Sequence, residues 1–199
     1  MINKKPYIEI PVKERVCWEG YEAIGEEIQR QIQRMDKPRI VIAIECNQGT
    51  YESNTLDSLK QALSPNVTVR ARDVYREESE IRDLVRKFLS FKSRVARMAP
   101  FTIEDYFDEK KLLSLRANID FIEAGVILVH GIGAHLIWEP DILIYADMSR
   151  WELMQRFRRK DISNIGVSNQ HESFQLQNLW SYCIDSRICN RIKKDLIQR

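Results

Sequence analysis

The 199-residue chain carries 31 Lys+Arg against 29 Asp+Glu, a formal net charge of +2. That balance gives no electrostatic case for nucleic acid, which asks for a clearly basic domain, while the length suits one α/β domain burying about 70% of its unfolded surface. The N-terminus MINKKPYIEIPVKE lacks an apolar signal core, no apolar run nears the ~20 residues of a membrane span, and four cysteines without a CxxC pair indicate a cytoplasmic chain with reduced thiols and no membrane partner.

Residues 7–10 read as a short strand between two prolines, suited to a sheet edge. A helix is expected over 18–35, with Ile24, Ile28, Ile32 and Met35 on one stripe, ended by Lys37-Pro38. Residues 39–46, RIVIAIEC, form the strongest central strand, broken only by Glu45. The polar stretch 46–54 leads into a helix with Leu56, Leu59 and Leu63 on one face. A turn at Ser64-Pro65-Asn66 precedes a strand over 67–71, and Asp73-Val74-Tyr75 leaves its carboxyl end. Ser79 reads as the cap of a helix whose core face is Ile81, Leu84, Val85 and Phe88. Residues 94–107 read as an irregular connection. Asp108 then caps a helix aligning Leu112, Leu115, Ile119 and Ile122, with Gly125 as its stop.

Residues 126–129 and 142–145 are apolar runs without strict alternation, as in strands covered on both faces. Between them, His130-Gly131-Ile132-Gly133 allows a sharp turn or a close approach to a ligand. Ser149 and Glu152 fit a capping box. The helix they open is expected to turn Trp151, Met154 and Phe157 inward, while Arg150, Arg156, Arg158 and Arg159 supply charge suited to a phosphate or form a solvated face partly paired with glutamates. Residues 163–173 are loop-like, and the tail from Gln175 reads as a strand at 180–184 followed by a helix, or as helix throughout.

Strands alternating with helices predict an α/β fold in three layers, a mostly parallel sheet with helices on both faces. Ligands in such sheets sit at the carboxyl ends of the strands, which gathers residues 47–54, Asp73, the stretch His130-Gly131-Ile132-Gly133 and Asp147 on one rim. The loop after the first strand departs from the phosphate-loop pattern G-x-x-x-x-G-K-[ST]. Tyr51 and Glu52 stand where the second glycine and the lysine belong, leaving Gly49 and the hydroxyls of Thr50, Ser53 and Thr55. It is a degenerate phosphate loop or an ordinary strand-to-helix turn. His130 is a ligand contact or a hydrogen-bonded structural histidine. Asp73 orients a sugar hydroxyl or magnesium, or caps a turn. His130, His135 and His171 match no zinc spacing, so no zinc site is expected.

The order RIVIAIE with its loop, RDVY, VILVHGIGAHL and DILIYADMSRWELMQRFRRKD resembles the uridine kinase and phosphoribulokinase group of P-loop kinases over most of residues 38–161. That likeness implies a kinase-like core, with Asp73 and Tyr75 in the Asp-x-Tyr segment, His130-Gly131 where the family has Glu-Gly, and Arg150, Arg156, Arg158 and Arg159 as lid arginines. FTIEDYFDEKKLLSLR, VILVHGIGAHLI, DILIYADMSRWELMQRFRR and NIGVSN resemble more closely the kinase-like domain attached to bacterial class I mannose-6-phosphate isomerases, which also carries a degraded phosphate loop. The resemblance implies one kinase-like domain over 1–199: an N-terminal strand and helix (1–37), a core (38–161) and a C-terminal extension (162–199). It implies a non-catalytic accessory domain that binds a nucleotide or sugar phosphate at Gly49, Thr50, Ser53, Asp73, His130, Gly131, Gly133 and the four arginines, or docks to an isomerase catalytic domain in cis or in trans. The isomerase's own zinc ligands find no match, since Gln170 and His171 are adjacent where that site needs Gln-x-His. The alternative is an active nucleoside or sugar kinase using Mg-ATP, its lid arginines replacing the lysine.

Overall fold

The computed structural model describes residues 17–90 and 95–198, without the side chains of Glu52, Ser90, Val95 and Ala96; the strand expected at 7–10 lies outside the described residues. The elements run α1 (Gly20–Met35), β1 (Arg39–Cys46), α2 (Glu52–Leu63), β2 (Val67–Arg70), α3 (Glu78–Arg86), β3 (Leu89–Ser90), β4 (Val95–Ala96), α4 (Glu109–Asp120), β5 (Gly125–Gly131), α5 (Ala134–Ile137), β6 (Ile142–Ala146), α6 (Arg150–Arg159), α7 (Phe174–Trp180) and α8 (Ser186–Ile197).

Seven consecutive buried residues make β1 the middle of the molecule. Burial of successive rather than alternate side chains means that both faces of the strand are covered. β1 pairs in parallel with β5 on one side and β6 on the other, and β2 adds to β5, giving the order β2-β5-β1-β6. The result is the expected three-layer α/β fold around an all-parallel sheet. β6 departs from expectation: Ile142 is buried but Leu143 is exposed. It is an edge strand, and an edge has only one neighbour to cover it.

Local chemistry explains most boundaries. Asp108 accepts from Lys110 N and Lys111 N and starts α4 as its sequence suggests. Ser149 accepts from Glu152 N at the start of α6. The Glu152 carboxylate does not reach back, because it pairs with Arg156 and Arg159 instead. The cap of α3 is Glu77, in a reciprocal box with Glu80, not Ser79. α4 ends at Phe121 ahead of Gly125, which opens β5. Part of the supposed irregular connection is ordered, as the β3–β4 hairpin and a 3-10 turn at Ile103–Tyr106.

Two larger corrections concern α6 and the tail. α6 buries Leu153 and Phe157 against Ile162, while Trp151 is 69% exposed. Trp151 lies two residues, about 200°, from Leu153 on the helical wheel, so the two cannot share a face. Residues 180–184 form no strand: α7 runs through a π-helical turn (Ser181–Asp185) into α8. Trp180, Ile184, Ile188 and Ile192 are all buried. Their four-residue spacing is a helical stripe, which outweighs the strand-like run at 180–184.

Candidate functional site

The chain leaves β1 toward β2 on one side, and leaves β5 over β1 toward β6 on the other. The crevice between the carboxyl ends of β1 and β5 is therefore where the direction of winding reverses, the usual ligand position in open α/β sheets. A cavity of about 600 Å³ opens there. Its walls come from the loop before α2 (Gln48 to Tyr51), the end of β2 (Arg70 to Arg76), the end of β5 (His130, Ile132) and the loop 161–170.

The β2 wall carries three arginines and one aspartate. Arg70, Arg72, Asp73 and Arg76 all line the cavity. Arg76 is tethered through Nε to the Asp105 carbonyl at 2.9 Å. Among the described residues, Arg70 and Arg72 have no ion-pair partner, and both are exposed. Tyr75, two residues beyond Asp73, donates from its hydroxyl to the Ile132 carbonyl at 2.7 Å and ties this wall to the end of β5.

The residues expected from sequence divide into two groups. Gly49, Thr50, Ser53, Asp73 and His130 line the cavity; Gly131, Gly133, Arg150, Arg156, Arg158 and Arg159 do not. Gly131 packs against Ala71. Gly133 has φ +85° and donates its amide to Glu45 Oε1 at 2.6 Å. Glu45, fully buried, also bonds His135 Nδ1 at 2.7 Å, so it pins the turn after β5. Asp147 is held by Asn47 Nδ2 and by Lys193.

Two of the α6 arginines, Arg156 and Arg159, brace the loop from outside. Arg156 donates to the Gly49 carbonyl at 2.7 Å and stacks 3.7 Å from the centre of the Tyr51 ring. Arg159 bridges Glu152 and Asp161, and the Tyr51 hydroxyl donates to the same Asp161 oxygen. Arg158 lies over Phe174, and Arg150 over Tyr182.

Gly49 has φ +81°, and a Cβ there would come within 2.6 Å of Leu153, 2.8 Å of Met148 and 2.9 Å of Ile162. The left-handed backbone favours glycine here, and any larger residue would have to displace the side-chain ends of the apolar cluster under the loop. Gly49→Ala is expected to cost about 2 kcal/mol from positive φ plus overpacking, read as a lowered urea midpoint at unchanged slope. A midpoint equal to wild type would show that the loop has room to move. Thr50 spends its hydroxyl on the Asn47 carbonyl at 3.0 Å. The Tyr51 side chain, at the N-cap of α2, makes no capping bond.

Beneath the loop lies a buried polar network that the sequence reading missed. Asp185, fully buried in the π turn, accepts at Oδ2 from Gln48 Nε2 (2.6 Å), Asn164 Nδ2 (2.7 Å) and Ile165 N (3.3 Å). Ser181 donates to Gln48 Oε1 at 2.7 Å, and Asn164 and Asn169 bond each other. Gln48 and Asn164 also line the cavity. The network therefore fixes two of its walls to the C-terminal helices.

Burial raises the Asp185 carboxyl from 3.8 to about 7, with the bonds from Asn164 and Ile165 offsetting part of the effect. Between those values the folded chain holds a proton that the unfolded chain lacks. This contribution is full below pH 4 and lost as pH rises through 7. Burial, aided by Arg70 and Lys60, lowers His130 from 6.5 to about 4. Its contribution has the opposite sense, present above pH 6.5 and lost as pH falls through 4. From pH 8 to pH 5, wild type should gain on the order of 2–3 kcal/mol relative to Asp185→Asn in urea titrations. A constant difference between the two chains would rule out the raised carboxyl.

A family model described as "Domain of unknown function (DUF8485)" matches residues 20–199. No curated protein matches the chain.

Proposed function

The chain belongs to the DUF8485 family, and on the geometry of its cleft we propose that it binds a phosphorylated small molecule without transferring the phosphoryl group. The observation that carries this reading is the arginine wall. Arg70, Arg72 and Arg76 line a cavity at the sheet's switch point, and the first two have no ion-pair partner among the described residues. Guanidinium groups recognise phosphate through paired, charge-assisted hydrogen bonds. The N-terminus of the 12-residue α2 opens on the same loop, uncapped by the Tyr51 side chain, and adds the positive end of its dipole.

Transfer, by contrast, needs groups aimed at the charge that develops between donor and acceptor. Among the described residues no lysine lines the cavity, and the Glu52 side chain lies outside them. The four α6 arginines that the kinase alternative relies on are not among the lining residues. Binding without turnover is the reading this arrangement favours. The likeness to the kinase-like domain of mannose-6-phosphate isomerases makes mannose 6-phosphate and Mg-ATP the first ligands to try. It also supports an accessory role beside an isomerase catalytic domain, in cis or in trans.

The test is calorimetric titration of the full chain with each ligand, alongside an assay of ATP consumption. Saturable binding of either ligand, weakened in Arg70→Ala, with no consumption of ATP, is the expected result. Silence from both ligands would remove the phosphate reading, and steady ATP consumption would establish the kinase alternative.

A further inference from the structure

A second surface, separate from the cleft, gathers exposed aromatic, thioether and guanidinium groups. Trp151 is 69% exposed, Tyr182 49% and Met98 46%, three of the eight exposed large apolar side chains of the described residues. They are linked step by step. Arg150, the neighbour of Trp151, lies with its guanidinium carbon 5.0 Å from the centre of the Tyr182 ring. Cys183, next to Tyr182, accepts the Ala99 amide at 3.1 Å, which places Met98 alongside. Arg187 reaches Met98 Sδ at 3.5 Å. Arg97, exposed, adjoins Met98 in the chain.

Trp, Tyr, Met and Arg are the side chains enriched in protein interfaces, and Trp, Tyr and Arg carry most of the binding energy there. Single exposed apolar residues need no explanation, but a contiguous set does. The charge of this set is one-sided. Among the described residues Arg97, Arg150 and Arg187 form no ion pair. Of the acidic groups on the same helical elements, Glu152 pairs with Arg156 and Arg159 and Asp185 is buried in the core, while Asp195, exposed, lies eight residues beyond Arg187 on α8.

We propose that the Trp151–Tyr182–Met98 surface, rimmed by Arg97, Arg150 and Arg187, docks an acidic protein segment that inserts aromatic or aliphatic side chains among its carboxylates. The sign of the charge selects this occupant. Residues 1–16 of the chain carry Lys4, Lys5, Lys13 and Arg15 against Glu9 and Glu14, so they would meet the rim with like charge. A second copy using the same face would set arginine against arginine, which disfavours a symmetric dimer. A nucleic acid or an anionic membrane shares the charge but calls for a broader basic field than three arginines on a nearly neutral chain.

The experiment selects displayed random 12-residue peptides against the full chain, then measures each by fluorescence anisotropy against wild type and the variants Trp151→Ala and Arg187→Glu. Both substitutions are at exposed positions, and circular dichroism checks that each folds. The expected peptides are net acidic with interspersed aromatic residues, bind more weakly as salt rises, and lose about tenfold or more in affinity to either variant. Arg70→Ala should bind them as wild type does, which separates this surface from the phosphate cleft. Basic peptides, or peptides that ignore both substitutions, would overturn the proposal. So would an empty selection accompanied by Trp151-dependent binding to phosphatidylserine vesicles, to a single-stranded oligonucleotide, or to the chain itself in sedimentation. An empty selection without such binding would overturn it equally.

Discussion

Replacing both Arg70 and Arg72 by alanine is expected to weaken phosphate-ligand binding by about 100-fold, with no loss of folding stability. A charge-assisted hydrogen bond contributes about 1.5–3 kcal/mol, and 1.4 kcal/mol is about tenfold in affinity. Both arginines are exposed, so the lower end of that range applies and each accounts for about one factor of ten. Neither makes an ion pair among the described residues, so their removal strands no buried partner. Arg158→Ala provides the contrast, because that side chain sits over the Phe174 ring away from the cavity. Titration of the double variant and Arg158→Ala beside wild type checks the assignment. Equal affinities across all three would place the phosphate elsewhere, and a loss confined to Arg158→Ala would return the site to the α6 arginines.

Asp185→Ala should be the most damaging single substitution to stability, at about 3–5 kcal/mol. It removes the acceptor from three donors at once, on Gln48, Asn164 and Ile165. Each buried donor left without a partner costs about 1–3 kcal/mol. For a chain of this length the loss corresponds to a fall in Tm of about 10 °C. Asp185→Asn keeps an oxygen in place and should cost less. Because Gln48 also lines the cavity, the alanine variant should lose ligand affinity even where it remains folded. Thermal unfolding of the two variants checks this directly, and an alanine variant melting within 2 °C of wild type would mean that the network rearranges at little cost.

The docking surface and the cleft draw on different arginines, and that division was not visible in the chain. The cluster Arg150 to Arg159 stands out by density, whereas Arg70, Arg72 and Arg76 are spread along a strand end. In that dense cluster Arg156 and Arg159 brace loops, on Gly49 and Asp161, while Arg150 and Arg158 lie over the Tyr182 and Phe174 rings. The isolated arginines line the cavity because β2 sits beside β5, with their carboxyl ends on one rim.

Sequence alone determined what depends on near neighbours. The continuous apolar run of β1 required a strand covered on both faces. Asp108 and Ser149 specified helix starts because a cap acts over two or three residues. The alternation of strand and helix determined the layers. Sequence could not decide which of two helical stripes on α6 faces inward, nor whether 180–184 extends or coils. Those choices rest on burial against distant elements: Leu153 and Phe157 on Ile162, and the tail stripe on the core. The same holds for Asp185, whose neighbours Gln48 and Asn164 lie 137 and 21 residues away. A buried carboxylate is stable only where several donors converge on it, and only the tertiary structure brings those donors together.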